Sequence, residues 1–175
     1  MLVRSILVTV LLAAGSAWAT TLEQLSVDRM IEQSTAIVRA KVTGSFAANR
    51  GGTIYTYYRL QVSENLKSVT PASTEVAVPG GTLGGMTQSV AGAPELKAGS
   101  EYVFFLWTSR SGLTQIIGLS QGALDLKVSG GTVVLSRPAG AEQMLDPQGR
   151  PVQDSGVVLG LSELRARVVR AGGVQ

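Results

Sequence analysis

The 175-residue chain contains no cysteine and no histidine. Without cysteine it has no disulfide brace, no thiol nucleophile and no thiolate for structural zinc. Without histidine it lacks the side chain most used as a general base and as a transition-metal ligand. Calcium needs clustered carboxylates, and the twelve Asp and Glu residues are scattered without EF-hand spacing. The sequence therefore predicts no metal and no cofactor. Charge is also sparse, at 15 % of residues with a net +3, and the basic residues form no cluster interleaved with aromatics. That distribution argues against a nucleic-acid partner and against an anionic membrane surface.

What is present begins with an export leader over residues 1–19. Arg4 supplies the positive start, Ile6 to Ala14 an apolar run, and Ala17-Trp18-Ala19 a small-x-small cleavage site, so the expected mature terminus is Thr20. A spanning helix needs about 20 apolar residues, and Gly15 and Ser16 end this run early. A lipid anchor would need a cysteine just after the run, where Ser16 stands. No second long apolar segment follows. The expected product is a periplasmic or secreted protein without a membrane anchor, folded as one domain over 20–175. A chain of roughly 150 residues buries about 68–70 % of its unfolded surface, enough for one core without crosslinks.

Along that domain the pattern is mostly of period two. Ser26 reads as the N-cap of a short helix, with Asp28 in its first turn, Leu25 stapled to Met30, and Val27, Met30 and Ile31 as its apolar stripe. From Ala36 the chain alternates, Val38, Ala40 and Val42 against Ile37, Arg39 and Lys41. Asn49 to Gly52 is a turn into a second long strand, Thr53 to Leu66, the expected neighbour of the first. Val76 and Val78 mark a short strand ending at Pro79-Gly80-Gly81, and the stretch from there to Gly99 reads as loop. Tyr102 to Trp107 is a continuous apolar run, expected to be a strand covered on both faces with Trp107 buried at its end. Strands are expected over Leu113–Leu119 and over Ala123–Val128, with Leu124, Leu126 and Val128 on one face, the latter joined by Ser129-Gly130-Gly131 to Thr132–Leu135. Asp146-Pro147-Gln148-Gly149 has the residues of a type I turn between Met144-Leu145 and Val152. A last helix carries Leu161, Leu164 and Val168 on one face, with Ser162 as its cap and Gly172 beyond its end. Six to eight strands with two short helices predict an all-β fold: an antiparallel, OB-like barrel with a short N-terminal helix and a C-terminal amphipathic helix.

Three stretches invite chemistry. Gly118-Leu119-Ser120-Gln121-Gly122 spells the G-x-S-x-G elbow of serine hydrolases, but that motif needs a strand-to-helix turn and a base. With no histidine, the base would have to be Lys97 or Lys127, and a turn between strands is the plainer reading. Gly80-Gly81-Thr82-Leu83-Gly84-Gly85 lacks the Lys-Ser/Thr of a phosphate loop and precedes no helix pattern. Long glycine-rich connectors are often functional, so Gly80, Gly81, Gly84 and Gly85 are the first candidate binding residues. Tyr55 and Tyr57 share one strand face, opposite Tyr58, and form a candidate stacking platform for sugar or peptide. Glu64, Glu75, Glu95 and Glu101 read as solvated strand or loop residues.

Val78-Pro79-Gly80-Gly81 through Gly84-Gly85, then Val90 to Pro94, Gly99 to Leu106 and Gly118 to Gly122 resemble a family of exported bacterial proteins of uncharacterised activity. More remotely, Thr35 to Val42, Tyr58 to Lys67 and Leu96 to Tyr102 resemble the pattern order of the netrin-like, metalloproteinase-inhibitor type of OB barrel. That resemblance implies an OB-like barrel and a protein-binding role. The inhibitors chelate zinc through an N-terminal cysteine; Thr20 stands there in this chain, so no functional residue carries over.

The expectation is thus a non-enzymatic binding module outside the cytoplasm, with no catalytic residue and a contact surface over 79–99. Its partner is expected to be an extracytoplasmic protein. The alternatives are a hydrolase using Ser120 or a carboxylate pair, and a barrel holding a small apolar ligand in its mouth.

Overall fold

The computed structural model describes residues 21–172, so the leader read over 1–19 lies outside the described residues. The chain runs in order through β1 (Leu22–Glu23), α1 (Val27–Gln33), β2 (Ala36–Arg50), β3 (Thr53–Lys67), β4 (Ser73–Pro79), β5 (Gly81–Leu83) and β6 (Met86–Gln88). It continues through β7 (Glu101–Thr108), β8 (Thr114–Ile116), a 3₁₀ turn (Leu119–Gly122), β9 (Ala123–Ser129), β10 (Thr132–Arg137), β11 (Met144–Leu145), β12 (Pro151–Val152), β13 (Val157–Gly160) and α2 (Leu161–Arg170). The molecule is all-β in character, with two short helices packed on a large sheet.

Eight strands pair in the order β13-β10-β9-β7-β2-β3-β4-β8, and β8 pairs a second time with β7. The pairings β7–β2, β2–β3, β3–β4, β4–β8 and β8–β7 therefore return to their starting strand. All are antiparallel except β4–β8, a single parallel pair at Ala77 and Gln115. A second parallel pairing joins β1 to β11, so the expected purely antiparallel pattern is corrected at two places. Both corrections come from strands far apart in sequence, where no hairpin dictates direction.

Alternation assigns the two faces of β2 and β7 to two apolar clusters. Val38, Ala40, Val42, Leu60, Val76, Val78, Tyr102, Phe104, Leu106 and Ile116 fill one, enclosed by the returning strands. Ile37, Val103 and Phe105 point the other way and meet Met30 and Ile31 of α1, Leu161, Leu164 and Val168 of α2, and Leu124, Leu135 and Leu159 of β9, β10 and β13. Tyr102 to Leu106 are thus buried on both faces, as the continuous apolar run requires. Each fully buried Leu, Ile or Phe contributes about 1.5–3 kcal/mol relative to exposure.

Local signals explain the element ends. Ser26 caps α1, its Oγ accepting from Arg29 N at 3.2 Å, and Asp28 lies in the first turn. Gly51 and Gly52, at φ +61° and +84°, form the two-residue turn that joins β2 to β3, and the pairs Gly84-Gly85 and Gly130-Gly131 repeat it. The late hairpin forms as expected, with Met144 opposite Val152.

Four expectations are corrected. The stretch after Pro79 is not wholly loop: Gly81–Leu83 pairs with Met86–Gln88 as a hairpin, its pattern too short and polar to read as strand. Trp107 is 45 % exposed, because it lies past the part of β7 covered by the helices and β9. The strand expected over Leu113–Leu119 is confined to Thr114–Ile116, because Gly118 and Leu119 at positive φ turn the chain into the 3₁₀ segment. The cap of α2 is Gly160 and not Ser162, because β13 passes straight into the helix and seats Leu161 as its first buried residue.

Candidate functional site

The two-residue Gly51-Gly52 turn sets Arg50 opposite Thr53, and the register then runs unbroken back to Gly44 opposite Arg59. It places Phe46 opposite Tyr57 and Ala48 opposite Tyr55. Residues directly opposite share a face, so Tyr55, Tyr57, Phe46 and Arg59 form one ladder. Phe46 and Tyr57 stack with ring centroids 5.2 Å apart, Tyr55 lies 6.2 Å from Tyr57, and the Arg59 guanidinium sits 5.1 Å from the Phe46 centroid. Arg59 also pairs with Glu75 at 3.5 Å. Phe46 remains 38 % exposed and both tyrosines are half-buried, so the ladder faces solvent.

The same register continues around the strands. Tyr57 is opposite Ala77, Ala77 opposite Gln115, and Gln115 opposite Trp107. A belt therefore crosses β2, β3, β4, β8 and β7 from Phe46 to Trp107 on one side of the sheet, with the small Ala77 buried at its middle. At its Trp107 end the belt opens into a groove of about 540 Å³, walled by Leu22, Leu25, Ile117 and Leu119, with Glu23, Gln33, Gln115 and Gln121 as its polar lining.

The glycines of the candidate loop divide into two roles. Gly80 N donates to Ile54 O at 2.8 Å, and Thr56 Oγ1 donates to Gly80 O at 2.8 Å, which fixes the base of the β5–β6 hairpin against the face of β3 opposite the tyrosines. Gly81 lies so near Thr56 Oγ1 that any Cβ would overlap it. Gly84 and Gly85 form the exposed tip, with Leu83 38 % and Met86 68 % exposed beside them. Thus Tyr55 and Tyr57 lie on one face of the β2–β3 arm, and Gly80 and Gly81 close against the other.

The Gly118–Gly122 segment is a 3₁₀ turn between β8 and β9, with Gly118 and Leu119 both at positive φ. Its buried member is Gln121, whose Oε1 accepts from Leu25 N at 2.8 Å while its Nε2 donates to Glu23 O at 2.9 Å. The turn therefore clamps the segment between β1 and α1. Ser120 N donates to Gly92 O at 2.9 Å, and among the described residues its Oγ has no hydrogen-bond partner. Lys97 and Lys127 line the same polar groove of about 640 Å³, and both are exposed. An amine that serves as a base needs burial to shed its proton near neutral pH.

Of the carboxylates read as solvated, Glu64, Glu75 and Glu101 are paired with arginines, while Glu95 is exposed without a partner among the described residues. Glu101 accepts twice from Arg39 at 2.8 Å and once from Ser63 at 3.1 Å, and the Arg39 guanidinium holds its carboxyl below the ordinary range. Glu64 is held twice by Arg165, at 2.8 and 2.9 Å. Asp154 is the most enclosed: both Arg137 amino groups, Gly140 N and Gly156 N donate to it. Among the described residues no three acidic side chains converge as metal ligands would.

Sequence reasoning reached Tyr55 and Tyr57 but missed Phe46, Trp107 and Gln121. Phe46 was derivable, because a two-residue turn fixes which residue faces Tyr57. Trp107 and Gln121 carry no local sign of their roles, which depend on strand ends and on a contact with the distant residues Glu23 and Leu25. Compared with known proteins, the chain matches no family model, no curated protein and no solved structure.

Proposed function

We propose that this chain is an exported, non-enzymatic binding module acting in the periplasm or the surrounding medium. Its partner is an extracytoplasmic protein, met by the aromatic ladder on one face of the β2–β3 arm, with the exposed tip of the hairpin that follows Pro79 as a second contact at the other face. The observation that carries this reading is the row of solvent-facing aromatics in one register, Tyr55, Tyr57, Phe46 and Trp107. Aromatic side chains offer large contact area at small entropic cost, and they dominate binding energy at interfaces. The reading includes an OB-like barrel of β7, β2, β3, β4 and β8, supported by the cyclic order of their pairings and the filled interior. The leader Arg4 to Ala19 supports export.

The test is affinity capture from the native envelope or culture fluid with wild type and with Tyr57→Ala and Trp107→Ala variants, each checked for folding by circular dichroism. Loss of the same captured protein from both variants supports the reading. Equal recovery removes the belt from consideration. A hydrolase screen in parallel, in which Ser120→Ala abolishes an activity, would overturn the non-enzymatic assignment.

A second reading is favoured by the groove at Trp107, whose apolar walls and the amides of Gln33 and Gln115 suit a small, largely apolar molecule. Native mass spectrometry of the purified protein would reveal it as a retained mass that is lost in Trp107→Ala.

A further inference from the structure

We propose that the free edge of β2 pairs with the same edge of a second copy of this chain, making a two-fold symmetric dimer centred on Ala47. β7 leaves β2 after Lys41 opposite Glu101, and the last bonds on that side are at Val42, which donates to Ser100 O at 3.0 Å and accepts from Gly99 N at 2.7 Å. From Thr43 to Arg50 no strand of the described residues pairs with β2 on the side away from β3.

The direction of the open groups follows from their partners. Ile54, opposite Asn49, turns its backbone away from β2: its N–H donates to Gln88 Oε1 at 2.8 Å and its carbonyl accepts from Gly80 N at 2.8 Å. In an antiparallel ladder opposite residues point their polar groups both inward or both outward, and the sense alternates along the strand. Asn49, Ala47 and Ser45 therefore present N–H and C=O outward.

Natural edges are usually blunted by proline, charge or a bulge. Ser45-Phe46-Ala47-Ala48-Asn49 has none of these, and its register with β3 is unbroken from Gly44 to Arg50. The β5–β6 hairpin lies over one face of β3 and β2, on the side of Ile54 and Thr56, and adds no strand to the edge.

Charge and size select the occupant. Antiparallel pairing about Ala47 sets Ser45 opposite Asn49, so outward residues meet outward residues and about six backbone hydrogen bonds form. Arg50, the single charge on the segment, then falls opposite Gly44 and not against its own copy. The large Phe46 falls opposite the small Ala48. Parallel pairing would stack Arg50 on Arg50 and Phe46 on Phe46. The contact is isologous and closes at two copies, and it joins the two aromatic ladders into one continuous face. An edge this short gives a modest dimer, with a dissociation constant of roughly 10–100 micromolar.

The test is sedimentation equilibrium of the full chain across that concentration range, with two variants. Ala47→Pro removes an outward N–H that β3 does not use, and weakens association about tenfold or more by blocking the centre of the edge. Ala47→Cys exploits the cysteine-free background: in a hydrogen-bonded pair the Cα atoms are about 5.5 Å apart, within disulfide range. Mild oxidation of Ala47→Cys is expected to give a covalent dimer quickly, whereas Val158→Cys, on the exposed β13, gives little. The proposal is overturned by a monomer throughout, by a dimer that Ala47→Pro leaves unchanged, or by equal crosslinking at both cysteine positions. Should Ala47→Pro fail to fold, the crosslinking comparison decides alone.

Discussion

At Gly81 the backbone has φ +135°, and a side chain there would collide with Thr56 Oγ1, itself committed to Gly80 O. At Gly84, a few residues on, φ is +58° and nothing lies within 4 Å of the missing Cβ. The two glycines look alike in sequence, and their substitution should not cost alike. Gly81→Ala is expected to lower unfolding free energy by about 1–3 kcal/mol, from strain plus displacement of Thr56, and Gly84→Ala by about 1–2 kcal/mol, the left-handed penalty alone. Urea titration of the pair checks the order, and equal midpoints would contradict it. At this scale the sequence was legible where a residue type has one dominant use, as Ser26 before a helix stripe. It was opaque where a residue acts through a distant partner: Gln121 sits in a hydrolase-like pentapeptide, yet its amide is spent on Leu25 and Glu23.

At the scale of elements, the segment between β10 and β13 has little regular structure and is held by Asp154. Its carboxylate gathers the two Arg137 amino groups and the N–H groups of Gly140 and Gly156, and this hydrogen bonding, Arg137 first, keeps its pKa well below the ordinary carboxylate value. A group whose pKa is depressed on folding contributes stability that is complete above its unfolded value, about 3.9, and is lost as pH falls toward the folded value. Stability against urea should therefore be level in this respect near neutrality and decline below about pH 4. Asp154→Asn is expected to cost about 3–5 kcal/mol at neutral pH by leaving Arg137 unpaired, and to make the acid decline shallower. An unaltered slope would show that other carboxylates carry it. Most elements could be read from alternation, including the late hairpin around Pro147. The β5–β6 hairpin could not, because three-residue strands of Gly, Thr, Leu, Met and Gln carry too little β signal.

For the molecule as a whole, β7 ties the parts together. Phe104 belongs to the cluster enclosed by the returning strands and Phe105 to the cluster under the helices, so truncating either leaves a cavity on its own side of the one strand the two clusters share. Stability then rests on apolar burial and ion pairs, and the expected thermal midpoint is the same with and without EDTA; a fall on chelation would reveal a bound ion that braces the fold. The two clusters follow from composition and period, since an apolar run of five or six residues must be covered on both sides. The return of β8 to β4 was not legible, because it rests on one residue pair, Ala77 with Gln115, that no turn specifies.

The parallel pairing of Leu22-Glu23 with Met144-Leu145 fastens the first described strand to one far along the sequence. A growing polypeptide cannot make that joint until Met144 has emerged. Until then the segment has the Gln121 amide, at Glu23 O and Leu25 N, but no strand beside it among the described residues, and any truncation before Met144 leaves that edge open to chaperones and proteases.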